Sequence, residues 1–248
     1  MTKVFVHGNP ETSAIWGPLV EVLSGRGVND VVLLSPPGFG ALVPDGWTAT
    51  RQQYCDWLIA ELKSIKGPID LVGHDWGAGH VFSVLTQRPD LVQSWATDCI
   101  GLVHPDYQWH DAAQGWQTPD VGEAIVAAMA SMPDEDFVTS FSQLGMTREI
   151  AANVKQAVND DMGRCILGLY RDAAQPAMVQ VGKQLQQQSL PPGLVFIADQ
   201  DHYAGSVSMM EEMSERLNAS VARMDGCGHW WMIEQPEHAA DALMAHWS

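Results

Sequence analysis

The segment Gly73-His74-Asp75-Trp76-Gly77 carries the clearest chemical signal in this 248-residue chain. An apolar run, Ile69–Val72, leads into it, and a helical pattern follows from Trp76 to Arg88. Glycines on both sides of a central residue are typical of a nucleophile elbow, a tight strand-to-helix turn that exposes the central side chain. The central residue is usually serine, whereas here it is Asp75. A carboxylate attacks a saturated carbon and forms an alkyl-enzyme ester, so this segment (the elbow) predicts epoxide opening or carbon–halogen cleavage.

Hydrolysis of such an ester requires a base, and His229 is the candidate. It lies in Asp225-Gly226-Cys227-Gly228-His229-Trp230 (the histidine loop), directly after the last predicted strand. The ordinary pKa of histidine, about 6.5, suits a group that deprotonates water.

A carboxylate should hold the His229 ring in its working orientation. We favour Asp201, in the segment Ala198–His202 (the acid loop). Asp199 in the same loop and Asp98 after the fourth predicted strand are alternatives. The chain order of nucleophile, acid and histidine fits each choice.

The turn Val6-His7-Gly8-Asn9-Pro10 (the first turn) follows the first predicted strand. Its backbone can present an N–H group to a developing oxyanion, and the N–H of Trp76, just after the nucleophile, would be the second donor. We therefore expect Asn9 and Trp76 to stabilise the oxyanion.

The elements that must position these residues alternate between strands and helices. Apolar strands alternating with helices indicate a mostly parallel sheet covered on both faces, an α/β fold with about six strands. The predicted strands are Lys3–Val6, Val31–Leu34, Ile69–Val72, Ser94–Asp98, Leu194–Ala198 and Ser220–Met224. The predicted helices of this core are Ser13–Ser24, Thr50–Ile65, Trp76–Arg88, Val207–Leu217 and Pro236–His246.

Residues 102–188 interrupt this alternation, because they contain no convincing strand. Helical patterns occur at Gly122–Ser131, Thr147–Val158 and Met162–Gln188. An insert between two parallel strands lies at the carboxyl edge of the sheet, where ligands bind. We therefore predict a core of residues 1–101 and 189–248 with a helical cap, or lid, of residues 102–188.

The composition narrows the classes of partner. A net charge of −17 argues against nucleic acid and disfavours an anionic substrate, so a small, neutral, hydrophobic substrate is expected. No apolar run could span a membrane and no signal-peptide pattern opens the chain, which predicts a cytoplasmic protein. The nine histidines form no metal-ligand motif and the four cysteines no CxxC, so we expect neither a metal nor a cofactor.

With these motifs the chain resembles the α/β-hydrolase superfamily, and within it the branch with an aspartate nucleophile. The resemblance spans nearly the whole chain, although the two strands that usually precede the strand before the first turn are missing. The elbow and the histidine loop look like those of epoxide hydrolases. Leu169-Tyr170-Arg171 looks like the segment that carries one of the two ring-opening tyrosines of that family. Tyr107 is the candidate for the second.

Other residues resemble dehalogenases. His7-Gly8-Asn9-Pro10 followed by Trp16 looks like the haloalkane dehalogenase turn, and in that family an asparagine and the tryptophan after the nucleophile, here Asn9 and Trp76, hold the departing halide. Trp109-His110 with Tyr170 is similar to the fluoride pocket of haloacetate dehalogenases. The substrate-binding arginines of that family are absent, so a haloacetate dehalogenase ranks third, after an epoxide hydrolase and a haloalkane dehalogenase.

Two further classes stay open. Proteins with this fold also serve as non-catalytic small-molecule receptors, and an esterase or lactonase could use His229-activated water directly. The intact nucleophile, acid and base argue against the first, and the absence of serine is unexplained by the second. The sequence also allows a homodimer.

Overall fold

The structure, a computed structural model, describes residues 1–248 and contains one parallel sheet of six strands in the order β2-β1-β3-β4-β5-β6. This confirms the predicted fold class, and the order places the first strand beside the third. The strands are β1 (Thr2–Val6), β2 (Val31–Leu34), β3 (Ile69–Gly73), β4 (Ser94–Thr97), β5 (Gly193–Ala198) and β6 (Ser220–Met224).

Twelve α-helices surround the sheet. Those of the core are α1 (Gly17–Gly25), α2 (Arg51–Ser64), α3 (Trp76–Gln87), α10 (Val207–Arg216), α11 (Trp231–Glu234) and α12 (Pro236–His246). Those between β4 and β5 are α4 (Asp111–Gln117), α5 (Val121–Ser131), α6 (Asp134–Gln143), α7 (Arg148–Ala157), α8 (Asp160–Asp172) and α9 (Ala177–Leu185). None of the helices combines the length and the apolar character that crossing a bilayer requires.

The two faces of the sheet bury separate hydrophobic clusters, because successive side chains of a strand point to opposite sides. Val4 and Val6 of β1 pack in the cluster that includes residues of α2 and α3, while Phe5 packs with Trp16 and with residues of α11 and α12. This double coverage explains why the central strands are apolar without alternation.

Some predicted boundaries differ from the observed ones. The Ser13–Ser24 helix is a 3-10 turn, Ser13–Trp16, followed by α1, which has a proline in its first turn. The single helix predicted over 162–188 is two helices, α8 and α9, because Pro176 lacks the N–H that a continuous helix needs. Helices α4 and α6 were not predicted, although α6 has three acidic residues in its first turn, which favour a helix start.

The connection from β3 to α3 lies very close to β1. A Cβ on Gly77 would lie 2.1 Å from the carbonyl oxygen of Val6, and one on Gly73 would lie 2.6 Å from the carbonyl oxygen of Gly77. The N–H of His74 donates to the Val6 carbonyl at 3.0 Å. Only glycine fits at both positions, so the sharp turn and its contact with β1 depend on them.

We expect Gly77→Ala to destabilise the protein by about 3 kcal/mol, because the added methyl group overlaps backbone atoms that cannot rotate away. Urea unfolding measures the change. Gly25→Ala is the matched control, because a Cβ there meets nothing within 4 Å at the end of α1. Equal stability of the two variants would contradict the close approach.

Candidate active site

Asp75 lies at the tip of the elbow with backbone angles φ 51° and ψ −120°. A non-glycine residue with positive φ is strained, and such strain is concentrated at functional sites. The Asp75 N–H donates to Asp98 Oδ1 at 3.0 Å, which holds the residue in this conformation. The turn therefore projects the Asp75 side chain beyond the carboxyl ends of the strands.

Backbone N–H groups from two segments act on the Asp75 carboxylate. The N–H of Asn9 donates to Oδ1 at 2.8 Å, and the N–H of Trp76 lowers the pKa of the same carboxyl group. Burial has the larger and opposite effect, and it raises the pKa of Asp75 from 3.8 to about 6 despite the nearby His229. The carboxylate is therefore ionised at neutral pH and poorly hydrated, two properties that favour a nucleophile.

His229 lies between two carboxylates. Its Nδ1 is 2.8 Å from Asp201 Oδ2, and its Nε2 is 3.8 Å from Asp75 Oδ2. Burial by itself lowers the pKa of His229, but the charge and hydrogen bond of Asp201, together with the charge of Asp75, raise it to about 9. The ring is thus oriented by Asp201, with Nε2 directed at Asp75.

The two alternative acids lie elsewhere. The Asp98 carboxylate accepts hydrogen bonds from the His74 ring and from the indole of Trp231 at 2.7 Å. Asp199 accepts from the N–H of Gly226 at 2.7 Å. Neither bonds to His229, so their placement as its partner was wrong. Asp98 is bonded instead to His74, the residue before Asp75, and Asp199 stabilises the histidine loop.

Tyr170 of α8 reaches the cavity above Asp75. The side-chain amide of Asn9 donates to the Tyr170 hydroxyl at 3.4 Å, so the hydroxyl proton is free to be donated elsewhere. Burial, reinforced by the Asp75 charge, holds the pKa of Tyr170 well above its ordinary value, so the phenol is protonated.

Tyr107, the predicted second tyrosine, does not line this cavity. Its hydroxyl donates to the carbonyl oxygen of Tyr203 at 2.8 Å. The proton is therefore already used, and the placement of Tyr107 as a ring-opening donor was wrong. The segment between β4 and β5 turns its hydroxyl toward the acid loop.

The cavity has a volume of about 150 Å³. Its polar lining consists of Asn9, Asp75, His110, Tyr170, Tyr203 and His229, and most of the remaining lining is apolar, including Trp116, Met129, Phe141 and Trp230. An apolar cavity of roughly this size holds a molecule as large as benzene.

The other cap residues singled out from the sequence take different positions. His110 lines the cavity, and burial lowers its pKa to about 4, so it is neutral. Trp109 lies behind the lining, where its ring stacks on Trp76 with centroids 6.1 Å apart and packs edge-on against Tyr170. Trp109 therefore supports the cavity wall.

Two residues of the site escaped the sequence analysis. Glu11 is completely buried and accepts a hydrogen bond from the N–H of Gly8 at 2.9 Å. Tyr203 lines the cavity and packs edge-on against His229 with centroids 5.1 Å apart. The available signals were their positions, since Glu11 directly follows the first turn and Tyr203 directly follows the acid loop.

Two groups of side chains bring three metal-ligand atoms together: Glu11, His74 and His229, and Cys99, Asp201 and His229. In both groups, hydrogen bonds between the side chains account for the short distances between these atoms. His74 uses both ring nitrogens, for Asp98 and Glu11, and His229 uses Nδ1 for Asp201. The arrangement is that of a carboxylate, an oriented histidine and two backbone donors around an apolar cavity.

The model of the alpha/beta hydrolase family matches residues 4–242. The chain belongs to the alpha/beta hydrolase family. This confirms the superfamily indicated by the first turn, the elbow and the histidine loop.

Relatives of this alpha/beta hydrolase include dehalogenases. A haloalkane dehalogenase of Mesorhizobium japonicum is 24% identical over 220 residues, which cover 82% of this chain but only 64% of that enzyme. A loop variant of the haloalkane dehalogenase DbeA from Bradyrhizobium elkanii superposes with a TM-score of 0.76 at 21% identity, over 99% of this chain and 88% of that one. The N-formylmaleamic acid deformylase of Pseudomonas putida S16 reaches the same TM-score at 14% identity, over 98% and 91% of the two chains. These structural likenesses establish the fold.

We expect Asp201→Asn to lower the pKa of His229 well below about 9, because burial then acts without the compensating carboxylate. An NMR titration of the His229 ring nitrogens measures the change. Asp199→Asn, in the same loop, should leave that titration where it is in the unaltered protein. A His229 midpoint unaffected by Asp201→Asn would contradict the assigned pair.

Proposed function

We propose that this protein is a hydrolase that uses Asp75 as a nucleophile, forms an alkyl-enzyme ester and opens small epoxides to diols. The observation that carries the proposal is the protonated Tyr170 hydroxyl, which lines the same small cavity as Asp75 and accepts a hydrogen bond from Asn9. An epoxide oxygen leaves as an alkoxide and needs a proton, whereas a halide leaves without one.

In the first step, the Asp75 carboxylate forms a bond to an epoxide carbon while the C–O bond breaks. The oxygen takes the proton of Tyr170, which gives a hydroxy ester and a phenolate. The indole of Trp76 and the amide of Asn9 favour this phenolate, since both act on the Tyr170 hydroxyl and lower its pKa. Burial opposes that ionisation, so the proton must be restored soon afterwards.

His229 begins the cycle protonated, because its pKa of about 9 lies above neutral pH. The negative charge of Asp75 helps to hold the proton on His229. Because ester formation removes that charge, the proton can then pass from His229 to the Tyr170 phenolate. His229 is then neutral and takes a proton from water, and the resulting hydroxide attacks the ester carbonyl. The N–H groups of Asn9 and Trp76 stabilise the oxyanion. The tetrahedral intermediate then breaks its bond to the diol oxygen, which takes the remaining proton of the attacking hydroxide. Release of the diol restores the Asp75 carboxylate and the protonated His229.

The cavity supports a small, neutral substrate. Its volume of about 150 Å³ and its aromatic lining favour an apolar group no larger than a benzene ring beside the reacting carbon. In this proposal residues 102–188 act as a cap over a core of residues 1–101 and 189–248, since α4, α5, α6 and α8 supply the wall that faces Asp75.

A haloalkane dehalogenase is the second candidate. The side chains of Asn9 and Trp76 adjoin the site where a halide would leave, and the Mesorhizobium japonicum relative is a haloalkane dehalogenase. A non-catalytic receptor is the alternative of another class.

The trapping experiment distinguishes these functions. His229→Ala should form the alkyl-enzyme with small terminal epoxides and fail to hydrolyse it, which intact-mass spectrometry detects as an adduct on Asp75. The double variant with Asp75→Asn should form no adduct, and Asp75→Asn alone should abolish turnover. Adducts from bromoalkanes alone would make the protein a dehalogenase. Tight binding with no adduct from any compound would favour the receptor.

Replacing Tyr170 tests the choice of leaving group. We expect Tyr170→Phe to reduce epoxide turnover by about 10²–10⁴-fold, the usual contribution of a general acid, and to affect bromoalkane turnover far less. Steady-state kinetics with both substrates measure the ratio. Tyr107→Phe is the matched control, because the Tyr107 hydroxyl is bonded to a backbone carbonyl outside the cavity. Equal losses on epoxide and bromoalkane in Tyr170→Phe would remove the proposed acid role.

A further inference from the structure

Three buried charged side chains close to Asp75 have no role in the mechanism above: Glu11, His74 and Asp98. Glu11 and His74 are completely buried, and Asp98 is 3% exposed. The His74 ring lies between the two carboxylates, with Nε2 3.0 Å from Glu11 Oε1 and Nδ1 bonded to Asp98 Oδ2. We refer to these residues as the buried row.

The geometry defines the protonation of the row. Ionised carboxylates only accept hydrogen bonds, so a ring that bonds one on each side must donate from both nitrogens and be an imidazolium. The charge distribution agrees: burial by itself lowers the pKa of His74, but Asp98 and Glu11 hold it well above its ordinary value. Burial would raise the pKa of Glu11, yet His74 lowers it to about 2.

Each carboxylate of the row also connects two segments of the active site. Glu11 accepts from the N–H of Gly8 in the first turn at 2.9 Å and from the indole of Trp230 in the histidine loop. Asp98 accepts from the N–H of Asp75 in the elbow at 3.0 Å and from the indole of Trp231, which begins α11. The elbow, the first turn and the histidine loop are therefore bonded to one charged row.

The row also faces the two reacting side chains. The His74 and His229 rings have centroids 4.5 Å apart. The charged groups that act on Asp75 are His229, Glu11 and His74. Those that act on His229 are Asp201, Asp75 and the three members of the row. The other titratable neighbours are neutral at pH 7. Burial raises the pKa values of Tyr170, Tyr107, Tyr203 and Cys99 and lowers those of His7 and His110.

We propose that Glu11, His74 and Asp98 are positioning residues, which hold the elbow and the histidine loop in register and set the electrostatic potential at Asp75 and His229. The catalytic part of this inference rests on the proposed function. The electrostatic part concerns the folded protein without substrate and can be measured separately.

Glu11→Gln tests the row, because glutamine has nearly the same volume and no charge. We expect the titration midpoints of Asp75 and His229 to move to lower pH, because the negative charge of Glu11 favours the protonated form of both groups. Turnover should fall by roughly 10²-fold, the effect of a misplacement of about 1 Å between reacting groups. NMR titration of the Asp75 carboxyl carbon and the His229 ring nitrogens gives the midpoints, and steady-state kinetics give the turnover.

Asp70→Asn is the matched control. Asp70 is a buried carboxylate on the same strand as the elbow, but it bonds Lys3 and the hydroxyl of Ser94 at the opposite end of β3. Its loss should lower stability and leave both midpoints unchanged. If Glu11→Gln does not fold, Asp98→Asn provides the same test, since Asp98 also interacts with the charge of His229.

The outcomes separate the two proposals. Unchanged midpoints in a folded Glu11→Gln protein would overturn the row, and so would equal shifts in Asp70→Asn. Shifted midpoints together with the loss of turnover would support it. If the unaltered protein turns over no epoxide and no haloalkane, the proposed function fails, whereas shifted midpoints would still establish the electrostatic role of Glu11.

Discussion

The close approach of the elbow to β1 is the constraint on which the rest of the site depends. Gly73 and Gly77 allow the chain to turn against the Val6 carbonyl, and Asp75 takes a positive φ between them. The same contact brings the first turn beside the Asp75 carboxylate, so the N–H of Asn9 reaches it. A side chain at Gly77 would separate the two segments and remove both the exposed carboxylate and its donor.

Burial is the second determinant, because it changes what each charged group can do. In water an aspartate and a histidine have pKa values near their ordinary ones. Here burial raises the pKa of Asp75, while the charge of Asp201 raises the pKa of His229. A partner of opposite sign stabilises each of these buried charges. Removing one of the charged side chains therefore leaves another charge unpaired. The site is therefore a set of interdependent charges rather than a list of separate catalytic groups.

In the proposed mechanism, the choice between leaving groups depends on the helices that follow β4. The core supplies Asp75, His229 and Asp201, whose chemistry suits an epoxide and a carbon–halogen bond equally. Tyr170 comes from α8, 95 positions after Asp75 in the chain, and adds a proton donor that only the epoxide requires. The same helices close the cavity to about 150 Å³. In that mechanism, the wall opposite Asp75 therefore determines the substrate class.

Much of this could be predicted from local sequence. The strand and helix periodicity, the elbow glycines and the order of Asp75, Asp201 and His229 depend on residues near one another in the chain or on topology rules, and the six-stranded parallel sheet followed from them. Helix boundaries failed at Pro176, where one missing N–H divides a continuous apolar pattern into α8 and α9.

Only the tertiary structure decided which side chains meet. The sequence left Asp98, Asp199 and Asp201 as partners for His229, because all three follow parallel strands whose ends share one edge of the sheet. The structure separated them by hydrogen bonds that span the fold: Asp98 to His74, Asp199 to Gly226, and Asp201 to His229. For the same reason Tyr107, which the sequence suggested, bonds outside the cavity, whereas Glu11, which the sequence analysis did not single out, bonds to the first turn and the histidine loop. A strand's end locates a residue within several ångströms, but a hydrogen bond depends on tenths of an ångström, which only the packed chain determines.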